Sequence, residues 1–167
     1  MPNWCYNHVT LTNEDKSKID ALHAVMQETN EDGREIGLIF QHLRPRPESE
    51  ENWYNWNIEN WGTKWDASFG HCDRYDDNSI FFTFDSAWSP PIALYEYLTE
   101  NGWDVDAVYQ EEGMGYIGSF KDGDDDCYEY DITDRPSIEA LPEELIEFGD
   151  LITRHEEWVE ENEEEDD

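Results

Sequence analysis

The stretch WCYNHVTLT, residues Trp4–Thr12, is the first β-strand that the sequence predicts, because Val9 and Leu11 share one face of an alternating pattern. An amphipathic helix follows, with Asn13 as the predicted N-cap and an apolar stripe at 3.6-residue spacing up to Met26. Along the rest of the chain, segments whose apolar residues recur every two positions alternate with segments whose apolar residues recur every 3.6 positions. This alternation predicts one domain that mixes strands and helices.

Further elements follow from the same patterns and from the turn residues between them. Strands are predicted at Trp65–His71, Ser79–Asp85, Trp103–Tyr109, Met114–Phe120 and Tyr128–Ile132. Helices are predicted at Glu51–Trp61 and at Glu143–Glu161. Between them, a helix is predicted to start after a Ser89 cap, with Pro90 at its first position, and to end at Asn101-Gly102. This order predicts an α+β fold: a ferredoxin-like β-α-β-β-α-β core with an antiparallel sheet, extended by a β-meander and an acidic C-terminal helix. The domain, including an aromatic insertion, is assigned to residues 1–135, the acidic helix to 136–162 and a disordered acidic tail to 163–167.

Negative charge sets this sequence apart. Forty-three acidic residues face ten basic ones, which gives a formal net charge of −33. The segment from Trp103 to Asp167 holds 25 of the acidic residues and three of the basic ones. A compact chain of this length is about 40 Å across, and duplex DNA carries about 24 charges over that distance. Direct binding to nucleic acid or to a membrane surface is therefore disfavoured, and a basic partner is favoured.

Residue spacing disfavours several other classes of site. Cys5, Cys72 and Cys127 are dispersed and odd in number, so neither a disulfide framework nor a zinc site is expected. The run Asp122–Asp126 fails the EF-hand pattern, since Cys127 stands at the glycine position and Thr133 at the bidentate glutamate position. No metal and no cofactor is expected. Neither a signal peptide nor an apolar run long enough to span a bilayer is found, so a cytoplasmic location is predicted.

Three spaced motifs carry a resemblance to a known family. They are MPNWC with Asn7 at the start of the chain, WYNW through NWGTKWD between Trp53 and Asp66, and AWSPP at Ala87–Pro91. Over roughly residues 1–102 the chain resembles the YubB-like ferredoxin-fold family of phage and plasmid proteins. The resemblance implies a ferredoxin-like fold, a phage or mobile-element origin and the cytoplasm of a host cell as location. It implies no iron–sulfur cluster and no defined activity.

The tryptophan-rich segment between Trp53 and Asp66 is a candidate ligand pocket. Trp53, Trp56 and Asn60 are spaced to share one face of the predicted helix. The candidate pocket residues are Trp53, Trp56, Asn60, Lys64, Asp66 and Trp88. The alternative is that the tryptophans fill the core and the polar side chains stabilise an unusual turn.

Acidic residues of the C-terminal part form the candidate partner surface. Glu156, Glu160 and Glu164 recur at i, i+4 and i+8, so a continuous helix would place a carboxylate about every 6 Å along one stripe. The full candidate set is Glu143, Glu144, Glu147, Asp150, Glu156, Glu157, Glu160, Glu161, Glu164, Asp122, Asp124, Asp125, Asp126 and Glu129. The alternative is a solvated helix face followed by a tail that confers solubility.

The leading hypothesis is a DNA mimic without enzymatic activity. Its carboxylates would replace backbone phosphates on the basic surface of a host protein, expected to be a nucleic-acid-binding or defence protein, and would inhibit it. Two alternatives remain open: a ligand-binding or enzymatic domain that uses the Trp53–Asp66 region, and an acidic interaction module unrelated to DNA. The sequence does not decide the oligomeric state, so both a monomer and a dimer remain open.

Overall fold

The structure, a computed structural model, describes residues 3–28 and 38–165, and the side chains of all of these up to residue 163. Six antiparallel strands form one sheet in the order β2-β3-β1-β4-β5-β6. The strands are β1 (Trp4–Thr12), β2 (Ser68–Asp76), β3 (Ser79–Ala87), β4 (Asp104–Glu111), β5 (Tyr116–Lys121) and β6 (Asp124–Glu129). The helices of the described residues are α1 (Lys16–Met26), α2 (Ile39–Leu43), α3 (Trp53–Asn60), α4 (Ile92–Glu100), α5 (Arg135–Glu139), α6 (Glu143–Gly149) and α7 (Leu151–Glu165). The predicted α+β class is confirmed.

Strand β1 lies inside the sheet, paired with β3 on one side and with β4 on the other. Its side chains alternate between the two faces, as in every strand. Cys5, Asn7, Val9 and Leu11 point to the same face and are buried. The main core lies on this face and draws on β1, β3, β4, α1, α2 and α4.

A second, smaller core lies on the opposite face of the sheet. Ile117 of β5 packs there with apolar residues of the C-terminal helices and of the loop between α5 and α6, namely Ile138, Leu141, Leu145 and Leu151. Phe148 of α6 marks where this cover meets β1, since its ring stacks on Tyr6 at 6.0 Å. Trp4 and Tyr6 of β1 are each 44% exposed and Tyr75 at the end of β2 is 64% exposed. Part of this face of β1, β3 and β2 is therefore open to solvent.

The predicted last strand at Tyr128–Ile132 is wrong. β6 begins at Asp124, and only the two residues Asp122 and Gly123 separate it from β5. Both turn residues have positive φ angles, 52° and 83°. This geometry is typical of a two-residue hairpin turn whose twist matches the flanking strands. The acidic run predicted as a turn is therefore mostly strand.

The predicted continuous helix Glu143–Glu161 is also wrong, because the chain breaks it at Asp150. Gly149 ends α6, and Asp150 adopts a left-handed conformation with φ 50°. α7 then starts at Leu151 and runs to Glu165, into the segment 163–167 predicted as a disordered tail. Residues 166 and 167 lie outside the described residues. The short helix α5 was not predicted.

Two predicted helix caps are replaced by neighbouring residues. The side chain of Asp15, not that of Asn13, caps α1 by accepting a hydrogen bond from Ser17 N at 3.0 Å. Pro91 is the N-cap of α4, and the Ser89 hydroxyl instead donates to the Gly62 carbonyl at 2.7 Å. The Asn13 Oδ1 accepts from the Asp15 N–H at 2.9 Å, so neither predicted cap bonds to the first turn of its helix.

We expect Leu145→Ala to lower the free energy of unfolding by about 2–5 kcal/mol, because Leu145 is 1% exposed in the second core and its removal leaves a cavity. Chemical denaturation followed by tryptophan fluorescence measures the change. Leu38→Ala, at a leucine that is 58% exposed, is the matched control and should change stability by less than about 0.5 kcal/mol. Equal effects of the two substitutions would contradict the packing of α6 on the sheet.

Candidate functional site

Helix α7 is fixed to the domain at its start and exposed beyond it. Leu151 is fully buried, and His155 donates through Nδ1 to the Ile132 carbonyl at 2.7 Å. Glu157, Glu160 and Glu161 follow on exposed positions and form no ion pair within the described residues. Contacts of its first two turns therefore hold α7 in place on the domain. The rest of the helix displays a run of unpaired carboxylates.

A few basic residues neutralise part of the acidic surface. Lys121 forms an ion pair with Glu144, which ties β5 to α6. Arg135 lies 3.6 Å from Glu156, between α5 and α7. Within the described residues these pairs leave most of the predicted partner-binding carboxylates without a cation. Because all of these pairs are exposed, they are worth little individually.

The acidic run after β5 lies on an edge strand. Asp124, Asp126 and Glu129 are exposed on β6, the outermost strand on its side of the sheet. Asp125 differs, since its Oδ1 accepts a hydrogen bond of 2.5 Å from the Tyr109 hydroxyl. Burial and this carboxylate both raise the pKa of Tyr109 above its ordinary value. Charges on an edge strand also oppose pairing with other chains, which gives them a structural role.

The remaining predicted partner residues are spread around these elements. Glu143 and Glu147 are exposed on α6, Asp150 is exposed at the break between α6 and α7, and Asp122 is exposed in the β5–β6 turn. The side chain of Glu164 lies outside the described residues. The structure thus divides the acids predicted on the helix Glu143–Glu161 between α6, the break at Asp150 and α7, and places the others on β6 and the β5–β6 turn.

The tryptophan-rich segment borders a cleft of about 430 Å³. Two of the six predicted pocket residues, Trp53 and Asp66, line it. Residues not predicted from the sequence complete the lining, among them Gln41, Arg46, Asn57, Trp61 and Trp65. These residues come from α2, from the loop before α3, from α3 itself and from the loop before β2. Their spread along the chain explains why spacing within one helix could not identify them.

The Asp66 carboxylate caps the N-terminus of α2, which has no side-chain cap of its own. The carboxylate accepts hydrogen bonds from the backbone N–H groups of Phe40 at 2.9 Å, Gln41 at 3.0 Å and Ala67 at 2.7 Å. Burial raises the pKa of Asp66, while these three donors and nearby Arg46 act in the opposite direction. Its hydrogen bonds give Asp66 a clear structural role.

Arg46 is the cation of the cleft. Its Nη1 donates to Oδ1 of Asn57 at 2.8 Å, and its guanidinium lies 5.9 Å from the Trp61 ring. Asn57 is 2% exposed and is held in turn by the Lys64 carbonyl, to which its Nδ2 donates at 2.8 Å. Arg46 forms no ion pair with a carboxylate of the described residues. The cleft therefore offers aromatic rings beside a fixed positive charge.

The other four predicted pocket residues do not line this cleft. Trp56 packs edge-on against Trp61 at 5.6 Å, and the Asn60 amide donates to the Trp56 carbonyl. Lys64 Nζ lies 4.5 Å from the centre of the Trp65 ring. Trp88 follows β3 with φ 69° and is 49% exposed.

Among residues 3–28 and 38–165, none of the helices combines the length and apolar character needed to cross a membrane. Within the same ranges, histidine, cysteine and carboxylate side chains form no group of three or more that could hold a metal ion.

Comparison with known proteins returns little. No family model matches the chain, and no curated protein does. A crystal structure of the protein api92 from Yersinia pseudotuberculosis, described with the family model DUF1281, aligns with a TM-score of 0.38 and 19% identity. The alignment covers 59% of this chain and 37% of that chain, so the chain spans well under two thirds of its length. A likeness at this level carries no conclusion about fold or function.

We expect Asp66→Ala to lower the free energy of unfolding by about 1–3 kcal/mol, because the N–H groups of Phe40 and Gln41 lose their acceptor. Thermal and chemical denaturation measure the loss. Glu48→Ala, at an exposed carboxylate lining the same cleft, is the control and should stay within about 0.5 kcal/mol of the parent. A neutral result for Asp66→Ala would show that α2 does not depend on this carboxylate.

Proposed function

We propose that this protein binds the basic surface of a host nucleic-acid-binding protein as a DNA mimic and inhibits it. The observation that carries the proposal is the run of exposed, unpaired carboxylates on α7, namely Glu157, Glu160 and Glu161. Exposed acids of α6 and β6 extend this charge. No chemical step is part of the proposal, and the partner is a protein that normally binds DNA or RNA.

These carboxylates differ from those of a solvated tail because they lie on an ordered helix. A helix rises about 1.5 Å per residue, so Glu157 and Glu161 are separated by about 6 Å along its axis. A charged array on a fixed scaffold displaces counterions from a basic partner without first losing conformational freedom. Binding should therefore be fast, because it is steered by charge, and steeply dependent on salt.

We also propose that the part of the chain from β1 to β4 is a ferredoxin-like core. Two connections support it: β1 leads through α1 to β2, and β3 leads through α4 to β4. The strand order β2-β3-β1-β4, with every neighbouring pair antiparallel, is the order that this arrangement produces. β5, β6 and the helices after them then extend the core. A phage or mobile-element origin and a location in the host cytoplasm belong to the same proposal.

The cleft beside α3 supports a second candidate function, the binding of a small ligand. Trp53, Trp61 and Trp65 present apolar rings there, and Arg46 supplies a cation that no carboxylate of the described residues pairs. Glu48, Glu50 and Asp66 line the same cleft, so a planar ligand without net negative charge fits this chemistry. Ligand binding at the cleft would be insensitive to charge changes on α7, which separates it from the mimicry proposal.

Affinity capture from bacterial lysate tests the mimicry. We expect the protein to retain nucleic-acid-binding proteins at low salt, and to release them when salt is raised or excess duplex DNA is added, because both compete for the same basic surface. Mass spectrometry identifies the captured proteins. Retention of proteins that DNA does not displace would contradict the proposal.

A matched pair of charge reversals locates the surface. Glu157→Lys with Glu161→Lys changes an exposed i, i+4 pair on α7 and should reduce capture at least tenfold. Glu96→Lys with Glu100→Lys alters the net charge equally, at an exposed i, i+4 pair on α4, and should reduce it less than threefold. Equal losses would indicate a general effect of net charge and would sink the assignment to α7.

A further inference from the structure

The open part of the sheet carries a group of aromatic rings. Tyr6 and His8 of β1 lie 4.9 Å apart between ring centres, and His8 contacts Phe81 of β3 at 5.4 Å. Tyr75 stacks on Phe81 at 6.0 Å, and at the other end of β1 Trp4 lies 6.1 Å from Trp65. Exposed aromatic patches of this kind mark binding surfaces.

Asp73 of β2 lies opposite Phe81 and is held by His71 at 2.9 Å, so the carboxylate without a partner among these rings is Asp85 of β3. It stands directly opposite Tyr6 in the register of β1 and β3, with Trp4 and His8 as its diagonal neighbours on the same face. Asp85 is half-buried, and its carboxylate has neither a hydrogen bond nor an ion pair within the described residues. Burial raises its pKa above the ordinary range. A partly desolvated carboxylate without a protein partner is available to a cationic ligand.

Nucleic acid does not fit this face, although stacked aromatic rings on a sheet resemble a platform for bases. Such platforms combine their rings with cations that contact the phosphates. Lys64, in the loop before β2, contacts Trp65 at the edge of the rings, and within β1, β2 and β3 Arg74 is the one lysine or arginine. It pairs with Asp20 of α1 at 2.6 Å, on the side of the sheet covered by that helix. Asp85 would repel a phosphate.

We propose that Asp85, with the rings of Trp4 and Tyr6, binds the guanidinium of an arginine side chain on a partner polypeptide. A guanidinium is planar, stacks on aromatic rings and offers two parallel N–H donors to a carboxylate. Lys64 Nζ already lies over the Trp65 ring at the edge of this aromatic group, so a ring of the group contacts a cation within this protein.

A polypeptide fits better than a free cation because the surface continues on the β4 side of Trp4 and Tyr6, opposite Asp85. A shallow groove of about 340 Å³, lined by Asn3, Trp4, Tyr6, Gln110 and the Glu111–Gly113 segment, runs beside the rings. Its size gives room for the residues that flank an arginine. The formal charge of −33 favours basic sequence around that arginine. The site shares no residue with the acidic α7 surface, so it does not depend on the proposed function.

Titration of the full chain with a blocked seven-residue peptide, a central arginine flanked by glycine and serine, tests the site. We expect saturable NMR shifts at Trp4, Tyr6 and Asp85 in physiological salt, and no comparable shifts with a peptide that has neutral citrulline in place of arginine. Asp85→Asn should weaken binding about tenfold, which corresponds to about 1.4 kcal/mol for a charge-assisted contact.

Glu96→Gln with Glu100→Gln, at the exposed pair on α4, is the control for general electrostatics and should change the affinity less than twofold. Equal weakening by the two sets of substitutions, equal binding of the citrulline peptide, shifts confined to α7 or an absence of saturable shifts would each overturn the proposal. None of these outcomes bears on capture of DNA-binding proteins through α7, so the two proposals fail separately.

The stability of Asp85→Asn supplies an independent check. Because the pKa of Asp85 is raised, the folded chain holds this proton more readily than the unfolded chain, and the ionised form costs stability at neutral pH. We expect Asp85→Asn to raise the melting temperature at pH 7, with the gain shrinking as pH falls through the raised pKa. A variant less stable than the parent at pH 7 would show that the carboxylate has a stabilising partner and would overturn the site.

Discussion

The alternation of side chains along β1 determines which residues this protein buries and which remain available to a partner. β1 pairs on both edges, and different helices cover its two faces: a large core lies on one side and a partial cover of C-terminal helices on the other. Val9 and Leu11 anchor the first, whereas Trp4 and Tyr6 stay half-exposed on the second. A shift of β1 by one residue would exchange the two sets and expose the core.

Much of the fold could be predicted where periodicity was long and clear. β1 was predicted with its observed bounds, and the helices after β1 and β3 within a few residues, because apolar stripes and flanking turns agreed. The errors arose from short local signals. The pair Asp122-Gly123 is typical of a hairpin turn, but the acidic residues around it suggested a longer turn. The pair Gly149-Asp150 ends a helix, although the spacing of acidic residues continues past it. Charge repeats do not specify a continuous helix, whereas backbone conformation does.

Less of the candidate sites could be predicted, because they are assembled across the sheet and between loops. The exposed acids of α7 follow from the sequence, since a helix with one apolar side must display the rest. The cleft beside α3 needed Arg46 and Asn57, which meet through a hydrogen bond across eleven positions of chain. Asp85 carried no sequence signal, and its isolation among aromatic rings depends on the register of β1 against β3. Spacing along one element cannot reveal such neighbours.

Hydrogen–deuterium exchange on the complex with a captured DNA-binding protein tests the central claim most directly. The account predicts that the partner is protected at the residues that duplex DNA protects, and that this chain is protected along α7 and β6. Protection of the partner away from its DNA-binding surface, or of this chain only around the α2–α3 cleft, would contradict mimicry.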